Sequence, residues 1–309
     1  MNALQTNAWT RGWAALGATL PRPRAVLAIS AHWYIEGTAV TAMESPRTIH
    51  DFGGFPRELF AVRYAAPGDA ALAARVQRLL APLPVAADHG WGLDHGTWSV
   101  LCHLFPVADV PVVQLSIDET QSPRFHYELG AHLRPLRDEG VLLLGSGDIV
   151  HNLHAYAWGR HPQEPYDWAL RFEARVREGL TSGEHGPLID YTALGRDAVL
   201  AVPTPEHYLP LLYVLGASVP RGGRELSGRG DGWRLGVDAG RAVRPLIELR
   251  APWLHAPTAA ARWDGIRAHP AARSWRGSGS RGQPAGRRRA RPGRPAFQAR
   301  RCRDPAPPW

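Results

Sequence analysis

Short, unbroken apolar runs separated by amphipathic stretches constrain the fold of this chain more than any other feature. Residues 24–31, Arg-Ala-Val-Leu-Ala-Ile-Ser-Ala, follow Pro21-Arg22-Pro23 and are almost wholly apolar. A strand with one wet face alternates apolar and polar residues, whereas a strand covered on both faces reads as a continuous apolar run. The segment is therefore expected to be a buried strand. Val110–Ile117 and Val141–Leu144 have the same character, and Thr38–Met43 reads as a further strand. Between them, Asp69–Leu80 sets Ala70, Leu72, Ala73, Val76, Leu79 and Leu80 at helical spacing, and Pro82 and Pro84 end it. Arg124–Arg137 and Tyr166–Leu180 read as amphipathic helices, Thr97–Phe105 and Glu206–Leu215 as apolar ones, the last opened by Pro205. Strands alternating with helices predict a single α/β sandwich, with a mostly parallel or mixed central sheet flanked by helices.

Histidines fall where such a sheet collects its ligands. His32 follows the first apolar run, and His151 follows the Gly145-Ser146-Gly147 turn at the end of another. Carboxyl ends of strands are the usual binding edge of an α/β sheet. His207 stands in Pro-Thr-Pro-Glu-His-Tyr-Leu-Pro, and His50 and His95 lie in glycine-rich loops. Neutral imidazole is the commonest protein ligand for divalent transition metals, so this pattern points to a metal-dependent enzyme. His50, His95 and His126 are candidates for substrate contact or for supporting the ligands, and Glu206 is a candidate either for a ligand or for orienting its neighbour His207. Each also has a plain structural reading: His32 packed on Trp33, His207 at a helix start, His50 bonding backbone around Gly53 and Gly54. His89, His103, His132, His154, His161 and His185 read as ordinary surface or core residues.

The formal charge of +8 resides at one end. Residues 251–309 hold thirteen Arg against Asp264 and Asp304, a net +11, which leaves −3 for residues 1–250. Residues 1–250 are expected to form the catalytic domain, and 251–309 an Arg/Pro/Gly-rich disordered tail with no specific nucleic-acid role. Cys102 and Cys302 provide neither a disulfide framework nor a cysteine zinc site. No signal peptide and no membrane-length apolar run is visible, so the cytoplasm is the expected location. The oligomeric state is not legible.

Several segments resemble the class III extradiol ring-cleavage dioxygenases, and more narrowly the 4,5-DOPA-extradiol-dioxygenase-like proteins. They are Ser30-Ala31-His32-Trp33, Thr48-Ile49-His50-Asp51-Phe52-Gly53-Gly54-Phe55-Pro56, Asp94-His95-Gly96, Val113-Gln114-Leu115-Ser116-Ile117-Asp118, Val150-His151-Asn152-Leu153 and Pro203-Thr204-Pro205-Glu206-His207-Tyr208-Leu209-Pro210-Leu211-Leu212. They run in family order over residues 1–218. The resemblance implies that His32 is a metal ligand, that His207 lies in a ligand-bearing segment, and that His151 is the active-site histidine, either a third ligand or the acid/base. The family's opening Gly-His-Gly-Ser-Pro-Met-Asn is matched here only from Met1-Asn2-Ala3-Leu4, so one ligand and one strand are expected to be missing. The family's final strand is expected to be replaced by Arg-rich sequence.

Extradiol cleavage takes a catechol and O2 and requires a redox-capable metal, for which Fe(II) is expected. Zn(II) can occupy the same ligands but has no accessible redox change. Two other readings stand beside it: a non-catalytic or truncated metal-binding relative, and a zinc-dependent hydrolase.

Overall fold

The computed structural model describes residues 2–155 and 165–218, and the backbone of residues 246–247. The expected tail at 251–309 and His161 lie outside the described residues. The strands are β1 (Ala25–Ile35), β2 (Thr38–Thr41), β3 (Val85–Asp88), β4 (Val112–Asp118), β5 (Val141–Ser146) and β6 (Leu246–Ile247). They form one sheet in the order β3-β2-β4-β1-β5-β6. β1 is central and parallel to both β4 and β5, β6 is parallel to β5, and β2 is parallel to β3 but antiparallel to β4. The sheet is thus mixed, as the sequence pattern predicts. The two-residue β6 supplies a parallel edge partner where the expectation was Arg-rich replacement of the last strand.

The helices are α1 (Ala8–Thr19), α2 (Arg57–Ala61), α3 (Ala70–Leu80), α4 (His95–Leu104), α5 (Pro123–Leu133), α6 (Pro135–Asp138), α7 (Asp167–Ser182), α8 (Gly186–Ile189), α9 (Arg196–Ala201) and α10 (Leu209–Ala217). Both faces of the sheet are covered. Leu27, Ile29, Leu115, Ile117 and Leu143 pack with residues of α3, α5, α7 and α10. Val26, Ala28, Val112, Leu142 and Leu144 pack with Trp13 and Leu16 of α1 and Trp98 and Leu101 of α4. Successive strand residues thus enter opposite cores, which is why β1 and β5 read as unbroken apolar runs. Each large aliphatic side chain buried this way contributes about 1.5–3 kcal/mol.

Several boundaries differ from expectation for identifiable reasons. β1 continues past residue 31 to Ile35, with its register against β4 shifting between Ile29 and Tyr34, so His32 sits in an irregular stretch within the strand. The helix expected over 124–137 is two, because Pro135 cannot donate into a continuing helix and opens α6 instead. The helix expected from Glu206 begins at Leu209, with Pro210 in its first turn. His207 consequently lies in the preceding turn, where Tyr208 and Leu209 both donate to the Pro205 carbonyl. α1, which no pattern announced, is started by Asn7. Its side chain accepts from Trp9 N and Thr10 N while the Thr10 hydroxyl accepts from Asn7 N.

Candidate metal centre

β1 and β5 are parallel neighbours, so His32 and the turn that follows β5 are delivered to the same edge of the sheet. That turn is held from two sides. Asp148 N donates to the His207 carbonyl at 2.9 Å, and His151 N to the Ala201 carbonyl at 2.8 Å. A Cβ on Gly147 would collide with the His207 carbonyl oxygen, so only glycine permits this contact. On the other side, the 47–51 loop is tied to residues 91–93: Ile49 N donates to Leu93 O at 2.7 Å and Leu93 N to Arg47 O at 2.8 Å. Asp51 is thereby laid against the start of α4. That start is fixed by buried Asp94, whose carboxylate caps Thr97 N at 3.0 Å and takes a short hydrogen bond from Gln114 Nε2. Gly96 brings the first turn of α4 onto β1: a Cβ there would stand 2.8 Å from His32 Cδ2.

The outcome is a row of contacting rings. His95 and His32 have centroids 3.9 Å apart, His32 and His207 meet edge-on at 5.2 Å, and His207 and His151 stack at 3.5 Å. Two carboxylates flank the row. Asp51 Oδ2 is 2.9 Å from His95 Nδ1 and 3.6 Å from His32 Nδ1, and Asp148 Oδ2 is 3.6 Å from His207 Nδ1.

Burial, then the neighbouring His95 and His207, pushes the His32 pKa down to about 3, against the pull of Asp51 and Asp148. Burial and then His207 push His151 down to about 4. Both rings are therefore neutral near pH 7, with lone pairs available. Burial favours the protonated form of Asp51, but the hydrogen bonds from the His95 side chain and backbone hold it below the usual carboxylate range.

These residues fit a divalent transition metal. His207 Nδ1 is buried and has no hydrogen bond, an uncommon state for a polar atom that a metal bond would relieve. His32, Asp51 and His95, and likewise Asp148, His151 and His207, offer donor atoms within 4.8 Å of one another. Ligand atoms around one tetrahedral ion sit about 3.3 Å apart, so modest side-chain movement suffices.

Comparison with known proteins agrees with this chemistry. Residues 4–224 match the family described as the catalytic LigB subunit of aromatic ring-opening dioxygenase. The chain belongs to this family. It is 52% identical over 221 residues to the 4,5-DOPA dioxygenase extradiol of Escherichia coli K12, covering 70% of this chain and 81% of that one. It is 40% identical over 200 residues to the Beta vulgaris protein of the same name, covering 64% and 74%. The crystal structure of an uncharacterized Escherichia coli K12 protein superposes with a TM-score of 0.62 at 46% identity, covering 71% of this chain and 85% of that one. The chain is thus an aromatic ring-cleaving dioxygenase of the extradiol type. Among the described residues, no helix is long and apolar enough to cross a membrane.

In this LigB-family chain the structure brings His32, His95, His151 and His207 together, but not the other candidates. His50 stands one ring away, its Nε2 3.0 Å from the Val62 carbonyl and its ring packed with Phe52, Phe60 and Trp98. It serves the loop through Val62, not around Gly53 and Gly54. His126 is wholly buried on α5, its Nδ1 3.0 Å from the Tyr213 hydroxyl of α10, and does not join the row of rings. An amphipathic helix gives no sign of which histidine its neighbour will cover. Glu206 accepts from the Thr204 hydroxyl at 2.7 Å. Asp51 and Asp148 were not singled out from sequence. The available signal was a carboxylate in the same loop as a candidate histidine.

Proposed function

We propose that this dioxygenase opens the ring of a DOPA-like catechol beside its diol, using non-haem Fe(II) held by His32, His207 and His151. The observation that carries the reading is the continuous contact His151–His207–His32 at the carboxyl edge of β1 and β5. The names of the Escherichia coli and Beta vulgaris relatives support the catechol class. In the overall reaction the carbon–carbon bond next to the diol breaks, and both atoms of O2 remain in a semialdehyde product.

Bound Fe(II) supplies a redox-active centre with open positions for the catechol oxygens and dioxygen. The chain supplies the rest. Burial keeps the His32 and His151 rings neutral and oriented as nitrogen donors. His151 is assigned as the third ligand because its ring stacks on that of His207 at 3.5 Å. Phe52, edge-on to His95 at 5.2 Å and packed near Trp98 at 6.2 Å, offers an apolar wall for an aromatic ring. Zn(II) would occupy the same nitrogens without supporting the reaction. With two cysteines in the chain, the cytoplasm is the proposed setting.

Reconstitution with Fe(II) under anaerobic conditions, followed by air and DOPA or protocatechuate, tests the reading. A product absorbing in the visible, with one O2 consumed per catechol, is expected. Absence of ring cleavage by iron-loaded protein would contradict it, and hydrolysis supported by Zn(II) would replace it with a hydrolase.

A further inference from the structure

Asp51 holds His95 at two points. Its Oδ1 accepts from His95 N and its Oδ2 faces His95 Nδ1, both at 2.9 Å. The first contact places the carboxylate at the amino end of α4, where backbone N–H groups and the helix dipole favour an anion. An ionised carboxylate only accepts hydrogen bonds, so His95 Nδ1 carries a proton, and the uncharged tautomer compatible with this contact is the one with its lone pair on Nε2. Nδ1 and Nε2 are on opposite sides of the imidazole, so that lone pair is directed away from Asp51. No described residue donates to it. The ring is partly exposed, touches His32 at 3.9 Å and has Phe52 edge-on at 5.2 Å. An acceptor nitrogen beside a metal-binding ring and an apolar aromatic wall suits a phenolic O–H.

We infer that Asp51 is a positioning residue that fixes the His95 tautomer, so that His95 Nε2 accepts a hydrogen bond from a catechol hydroxyl. The inference rests on the catechol reading above for its ligand, while the tautomer is independent of that reading. The sequence offers for Asp51 only its place in the same loop as His50. The structure singles it out by placing it between His95 and His32.

The test uses the full chain, reconstituted with Fe(II) for the binding measurements. Nitrogen-15 NMR of the imidazoles, with the His95 signals assigned from His95→Gln, reads the tautomer. Titration with 4-nitrocatechol under anaerobic conditions reads affinity. The wild type is expected to carry the proton on Nδ1. Asp51→Asn, whose amide can still accept from His95 N but can present N–H to Nδ1, is expected to shift it to Nε2. Compared at equal iron occupancy, that variant should bind 4-nitrocatechol at least about 10-fold more weakly, on the order of the loss seen when an outer-shell partner of a metal-site histidine is removed. His95→Gln should weaken binding by a similar factor, and adding Asp51→Asn to it should cost little more, because one contact has then already been lost. A wild-type proton on Nε2, an unchanged tautomer in Asp51→Asn, or additive losses in the double variant would overturn the inference. Failure of the catechol reading shows separately, as iron-loaded wild type that neither binds 4-nitrocatechol nor opens a ring. That outcome also removes the proposed ligand of His95.

Discussion

The rings of His151 and His207 lie face to face, 3.5 Å between centroids and 12° between planes, although the two residues come from different loops. Two protonated imidazoles would repel one another at that separation. Burial keeps His151 neutral, and its lone pair then stands beside that of His207 as a pair of nitrogen donors. His151→Ala is therefore expected to lower iron affinity together with turnover, the latter by at least about 100-fold. Metal analysis of the dialysed variant checks it. Full iron content with collapsed turnover would reassign His151 as the acid/base.

Gly96 sets the distance between α4 and β1. Gly96→Ala would push a methyl group against the Ser30 hydroxyl and to 2.8 Å from His32 Cδ2. Overpacking of this kind costs about 1–3 kcal/mol, measurable by urea denaturation. Because His32 must move, kcat/KM is expected to fall further than stability alone explains. Gly53→Ala, which meets nothing within 4 Å, is the control and should be nearly neutral. Equal behaviour of the two variants would contradict the packing argument.

His126 gives the fold a specific acid sensitivity. Burial holds its pKa down to about 4, against the pull of Asp118 and of the nearby Gln121 and Asp118 backbone, whereas in the unfolded chain the ring titrates at its ordinary value of 6.5. Between those values the unfolded state binds more protons, so stability falls as pH drops through that window and is regained as pH rises. From pH 7 to pH 5 the linked loss is about 2 kcal/mol. In His126→Asn the difference in unfolding free energy between pH 7 and pH 5 should be smaller by about that amount. An unchanged pH dependence would show that His126 titrates normally.

The parts of the fold legible in the sequence are those whose burial is symmetrical or periodic. β1 and β5 announce themselves because adjacent residues such as Leu27 and Ala28, or Leu143 and Leu144, enter opposite cores. α3 is legible because Leu72, Ala73, Val76 and Leu80 form one stripe capped by Asp69. α1 escaped notice because its register is fixed by an asparagine–threonine cap and by Gly17, which presses on the Leu104 carbonyl, features local sequence does not rank highly. His32 and His151 were placed at one edge because parallel strands must end together. That Asp51 and His95 join them depends on the ties between Arg47, Ile49 and Leu93, long-range backbone contacts without a sequence signature. His126 resembles any other helix histidine until α10 covers it.

The central claim is that His32, His151 and His207 share one metal ion. Anomalous diffraction at the iron edge from an anaerobic crystal soaked with Fe(II) tests it most directly. A single peak about 2.0–2.3 Å from one nitrogen of each of the three rings is predicted, a range close to that for zinc–imidazole bonds. A peak bound only by Asp51 and His95, or ions held apart on His32 and on His151, would contradict it.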